Sequence, residues 1–152
     1  TNIIYDYIKQ HFVDVKLIKR ANLSAEEHFN AVISECQTEF LVIFHDDDVM
    51  YPEYIDHMLK ILVNNDDYSA VACNAFINRN NRRTYQNFFY HSAVCIKSQK
   101  DLIQTYCKFG FSKPAPFPGY MYRVESLKKL IIKSKVAGKY TDVVMLLELL
   151  KK

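Results

Sequence analysis

The stretch Phe40-Leu-Val-Ile-Phe44, followed by His45-Asp46-Asp47-Asp48, decides the reading of this chain. Five apolar residues in a row mark a strand covered on both faces, as in a parallel sheet. Three adjacent carboxylates then repel one another; at ~4 Å each pair costs roughly 4 kcal/mol at an effective dielectric of about 20. A divalent cation relieves that repulsion, because hard Mg²⁺ or Mn²⁺ prefers carboxylate oxygen. Ligands of open α/β sheets sit beyond the carboxyl ends of the strands, which is where this triplet falls. The alternative is a solvated acidic turn leading into the next helix. A calcium loop of the EF-hand type fits poorly, since the Gly and closing Glu it needs are missing.

Outward from the triplet, elements alternate. Ser24 with Glu27 forms a capping box for a helix burying Phe29, Val32 and Ile33 and ending near Cys36. Pro52 opens another helix, with Glu53 in its first turn and Ile55, Met58, Leu59 and Leu62 on one face; Asn64–Asp67 breaks it. Ile3–Phe12 has helical spacing, Val13–Ile18 alternates as a short strand, and Ser69–Ile77 is a further strand. Residues 78–82 turn into an antiparallel return over Thr84–Phe89. Gln99–Cys107, Glu125–Val136 and Asp142–Leu150 read as helices, and Pro114–Gly119 as an irregular loop. The order predicts an α/β domain with a mostly parallel sheet flanked by helices.

Composition excludes other classes. With 152 residues, 49% apolar and 24% charged, the chain suits one globular domain. Three Gly and four Pro exclude low-complexity architectures. No apolar run approaches the ~20 residues of a membrane span, and no secretory signal is visible. The net charge of +3 is too balanced for a nucleic-acid binder. Cys36, Cys73, Cys95 and Cys107 lack CxxC spacing, which argues for reduced cysteines in a cytoplasmic protein. Arg79, Arg82 and Arg83 read as a solvated hairpin, and His91 with Cys95 as packing residues.

The run Asn30 to Asp48, continued by Val-Met-Tyr-Pro-Glu-Tyr-Ile55, resembles the middle of a family 2 glycosyltransferase of the GT-A fold. That family reads "Glu-Tyr-Ile, apolar, Asp-x-Asp-Asp, three residues, Pro-Glu". Pro118-Gly119-Tyr-Met-Tyr-Arg123 and Gly138-Lys-Tyr-Thr-Asp142 are similar to two later family segments, in the family's order. The resemblance implies a GT-A-like (Rossmann-like) domain spanning 1–152 that binds a UDP-, GDP- or TDP-sugar, with Mn²⁺ or Mg²⁺ bridging the diphosphate. It puts Asp46, Asp47 and Asp48 on the metal motif. Asp46 and Asp48 converge if the backbone is extended there, so this pair is the expected metal site, with Asp47 touching the donor. His45 stands where many members carry the first Asp.

The resemblance further implies that Asp142, or a neighbouring acid, is the catalytic base of an inverting transfer; an N-cap role is the alternative. Asn30 and Arg123 are candidate donor contacts, Arg123 through bidentate phosphate recognition. Against these stand a buried hydrogen bond for Asn30 and a surface ion pair for Arg123. Tyr120 and Tyr122 either floor a sugar site or fill core. The family's opening "Pro-x-Tyr-Asn" and "Asp-Asp-x-Ser" strands are missing, which leads us to expect an internal segment of a longer protein. The implied partners are the donor and a glycan or lipid-linked acceptor in bacterial surface polysaccharide synthesis, in the cytoplasm or peripherally at the inner membrane face. A non-catalytic binding module and a metal-dependent nucleotidyltransferase are the rival readings.

Overall fold

The computed structural model describes residues 2–12, 14–79, 82–85, 93–107, 115–130, 132 and 140–151. Its centre is the strand β5 (Tyr120–Arg123), which lies between β1 (Phe40–Val42) and β2 (Ala70–Ala72). Both neighbours pair with it antiparallel, Leu41 and Ala70 each opposite Tyr122. β1 and β2 therefore run in the same direction, joined by the helix α3 (Tyr54–Val63). Side chains alternate along β5. Tyr120 and Tyr122 enter one core with Ile33, Leu102, Leu127, Ile132, Met145 and Leu146. Met121 points the other way and meets Met58 and Leu62 of α3.

The layers follow from this alternation. α3 covers one face. The other is covered by α2 (Ala25–Glu35), α4 (Gln99–Cys107), α5 (Val124–Lys128) and α6 (Thr141–Leu149). The helix α1 (Asn2–His11) precedes them, and β3 (Phe76–Arg79) and β4 (Arg82–Tyr85) form a separate hairpin. The capping box is built as the sequence indicates. The Ser24 amide donates to Glu27 Oε2 (2.7 Å), and the Glu27 amide donates to Ser24 Oγ (3.3 Å). A bidentate Arg20–Glu35 pair (2.9 and 2.7 Å) ties the segment before α2 to that helix.

Several expectations are corrected. The domain is α/β, but every strand pairing among the described residues is antiparallel, so the mostly parallel sheet is not observed. A continuous apolar run reports burial on both faces, and an antiparallel neighbour such as β5 satisfies it as well as a parallel one. Residues 14–18 form no strand, despite their alternation. The strand expected over Ser69–Ile77 splits into β2 and β3 where the Ala75 amide donates to the Asn74 side chain (2.9 Å). The helix expected over Glu125–Val136 stops at Lys128. Residues 133–136, 138–139 and the 86–89 part of the return strand lie outside the described residues. Among the described residues no helix is long and apolar enough to cross a membrane.

Candidate active site

The acidic triplet hangs from the carboxyl end of β1. The backbone turns at Asp46–Asp47 rather than continuing extended. That turn breaks the two-residue alternation and changes which side chains converge. A His45 ring nitrogen and carboxylate oxygens of Asp47 and Asp48 come within 4.8 Å of one another. His45 Nδ1 is 3.5 Å from Asp48 Oδ2. Asp46, half of the expected metal pair, is not part of this group and does not line the cleft below it.

The His45 ring is propped in place. It leans on Phe117, with ring centroids 5.4 Å apart, and Phe117 in turn meets Phe29 of α2 edge-on at 5.4 Å. Phe117 belongs to a short 3₁₀ turn, Phe117–Gly119, that feeds β5. An imidazole beside two exposed carboxylates is a mixed nitrogen and oxygen donor set, whose carboxylate oxygens suit Mn²⁺ or Mg²⁺ and which leaves open positions for a ligand's oxygens. The residues present therefore fit a divalent cation.

Below the cluster opens a cleft of about 1580 Å³. It exceeds the about 300–1,000 Å³ typical of small-molecule pockets. Its walls come from the triplet loop, the start of α3, the end of β2, the β3–β4 hairpin, the 3₁₀ turn and the first turn of α6. Asp142 lines it from α6, so residues 94 positions apart, Asp48 and Asp142, share one concavity. Asp142 is not the N-cap: Tyr140 holds that position, and Asp142 lies inside the first turn. A carboxylate there is favoured by the helix dipole.

Tyrosines surround the base candidate. Tyr106 lines the cleft, and burial, reinforced by the Asp142 charge, pushes its phenol up to about 12. Burial first, with smaller contributions from neighbouring phenols and Asp142, also drives Tyr120 and Tyr122 well above the usual phenol range. The rings of Tyr120 and Tyr122 stack 5.7 Å apart. Both are buried in the core; neither lines the cleft.

The two candidate donor contacts follow their alternative readings, a hydrogen bond within the fold for Asn30 and an ion pair for Arg123. Asn30 Nδ2 donates to the Ile132 carbonyl (3.0 Å) and its Oδ1 accepts from the Ile132 amide (3.4 Å), so the side chain clasps backbone inside the fold. Arg123 sits at the far end of β5, opposite Phe40 at the start of β1. Its guanidinium donates to Glu39 (3.0 Å) and to the carbonyls of Leu62 (2.9 Å) and Tyr68 (3.4 Å), and covers the Phe40 ring at 5.1 Å. Neither residue lines the cleft. Sequence reasoning missed Tyr106 and Phe117 as cleft residues. Phe117 had a weak signal, an aromatic between two prolines ahead of Gly119. Tyr106 had none, since its helix is placed only by packing.

An α/β layering with a carboxylate-rich cleft beyond the end of the half-buried strand β1 is a setting suited to ligand binding. The model of the family described as "Glycosyl transferase family 2" matches residues 1–131, and the chain belongs to that family. Membership implies the GT-A fold and sites for a nucleotide-sugar donor and an acceptor. Asp142 lies beyond the matched residues. No curated protein and no solved structure matches the chain.

Proposed function

We propose that this domain is a divalent-cation-dependent, inverting glycosyltransferase that moves a sugar from a nucleotide-diphosphate donor to a hydroxyl of a glycan or lipid-linked acceptor. The observation that carries the reading is the shared cleft: the His45–Asp47–Asp48 cluster on one wall and Asp142 on another. His45, Asp47 and Asp48 would hold the cation. Bound there, Mn²⁺ or Mg²⁺ supplies neutralising charge to a departing diphosphate.

The remaining work falls to the chain. Asp142 takes the proton of the acceptor hydroxyl on a carboxylate oxygen as that hydroxyl attacks the anomeric carbon. A single base acting on the face opposite the leaving group inverts the configuration. General-base help of this kind contributes roughly 10²–10⁴-fold. The His45 ring, resting against Phe117, is partly pre-positioned, which lowers the reorganisation needed when the donor binds. The reading places the domain in the bacterial cytoplasm, at the inner membrane face where the acceptor is lipid-linked, with surface polysaccharide as the product class.

The test is a transfer and hydrolysis screen against UDP-, GDP- and TDP-sugars, with and without Mn²⁺. One donor class should turn over only with the cation, and Asp142→Asn should lower the rate by roughly 10²–10⁴-fold while leaving nucleotide binding intact. Nucleotide binding without any turnover across the panel would instead favour a binding module.

A further inference from the structure

Arg83, on β4, lines the cleft from the hairpin wall. Its Nη1 donates to the Tyr51 hydroxyl at 3.4 Å, and the Tyr51 ring lies 6.3 Å from that of Phe76 on β3. Among the described residues that line the cleft, it is the only Lys or Arg. Four carboxylates, those of Asp47, Asp48, Glu53 and Asp142, line the same space. Every Asp and Glu of the chain is described, and none forms an ion pair with Arg83.

That arrangement differs from the other placed arginines near the sheet. Arg20 and Arg123 each spend their donors on a carboxylate and, for Arg123, on carbonyls. A guanidinium carries five donors and stays charged at every physiological pH. Held by the Tyr51 hydroxyl, Arg83 lines the cleft with no carboxylate partner, and the Tyr51 contact engages one of its five donors. Planar, bidentate donation matches phosphate oxygens, the anions that a nucleotide-diphosphate donor brings to such a cleft.

We propose that Arg83 is a phosphate-binding residue of this cleft, gripping a phosphate or diphosphate group at a point separate from the His45–Asp47–Asp48 cluster. The inference rests on the cleft being the transfer site. Two sources share the chemistry: the diphosphate of the donor, and the phosphate of a lipid-linked acceptor. Tyr51 is the positioning residue that aims the guanidinium.

Calorimetric titration separates these. The probes are inorganic pyrophosphate, UDP with Mn²⁺, and farnesyl phosphate. Arg83→Gln should weaken pyrophosphate about tenfold, with Arg83→Lys between it and the wild type because the charge survives without the fork. Tyr51→Phe should weaken it a few-fold. Alongside the pyrophosphate loss, a loss for UDP but not farnesyl phosphate assigns the donor, and the reverse assigns the acceptor. An Arg83→Gln protein that melts like the wild type and binds all three probes equally well overturns the inference, as does a wild type that binds none. The Asp48→Ala background distinguishes the two readings. If cation dependence and transfer are never found but Arg83→Gln still weakens pyrophosphate there, the catalytic reading fails and the phosphate site stands.

Discussion

The Cys73 amide donates to the Gly119 carbonyl at 3.0 Å, and a Cβ built on Gly119 would sit 2.7 Å from the Cys73 carbonyl oxygen. The end of β2 thus lies against the 3₁₀ turn with no room for a side chain, and the turn can prop Phe117 under His45 only because the contact is that close. Backbone is the obstacle, so the clash cannot be relieved by rotating a side chain. Gly119→Ala should cost about 1–3 kcal/mol in urea unfolding, as overpacking does. Because the turn forms a cleft wall, the same variant should also weaken Mn²⁺ binding.

Cation binding discriminates between the two ways of choosing carboxylates from the triplet. Asp47→Asn and Asp48→Asn should each weaken Mn²⁺ on the order of tenfold or more, since even groups outside the coordination sphere are commonly worth about 10–100-fold. Asp46→Asn, outside the converging group, should change it far less. Paramagnetic relaxation of water protons on Mn²⁺ titration reads this directly. Equal losses for Asp46 and Asp48, with none for Asp47, would restore the extended-backbone pairing.

Arg123 should behave as a structural residue. Its side chain is 14% exposed and joins Glu39, two carbonyls and the Phe40 ring at the start of β1. Arg123→Ala should lower stability by about 2–3 kcal/mol, through lost charge-assisted hydrogen bonds and packing. Nucleotide affinity, measured in the same preparation, should stay at the wild-type value.

Alkaline pH should destabilise the domain. Burial pushes the phenols of Tyr54 and Tyr106 from 10.0 up to about 12. Below pH 10 both states keep these protons, and stability does not depend on them. Above it the unfolded chain releases protons that the folded chain retains, so stability falls as pH climbs toward 12. Ultraviolet titration of phenolate should run later in the folded protein than in urea, and the melting temperature should drop over that interval. Coincident titrations in the two states would contradict the burial of these rings.

Much of the local structure was written in the chain. Ser24 and Glu27 sit at the spacing of a capping box, and both reciprocal hydrogen bonds form. Met58 and Leu62 lie on one face of a helix and bury together against Met121. These signals are local, because they depend on the period of one element or on residues within a single turn. The family motifs around Asp46–Asp48 and Gly119 were legible for the same reason: each is a short run of adjacent residues.

The direction of the strands and the cast of the cleft were decided only in three dimensions. Apolar runs carry burial but not direction, so β5 could enter between β1 and β2 antiparallel without leaving a trace in the pattern. Packing also settled two arginines: Arg123 took the ion-pair alternative, with Glu39 and backbone carbonyls, whereas the hairpin read as solvated brought Arg83 to the cleft. Asp142 met the triplet's cleft only because α6 packs through Met145 and Leu146 on the same core that buries Tyr120 and Tyr122. The sequence thus determined which chemistry the chain carries, since residue types and local spacings are properties of the chain itself. Packing decided which of those groups face one another, since that depends on contacts between residues far apart along it.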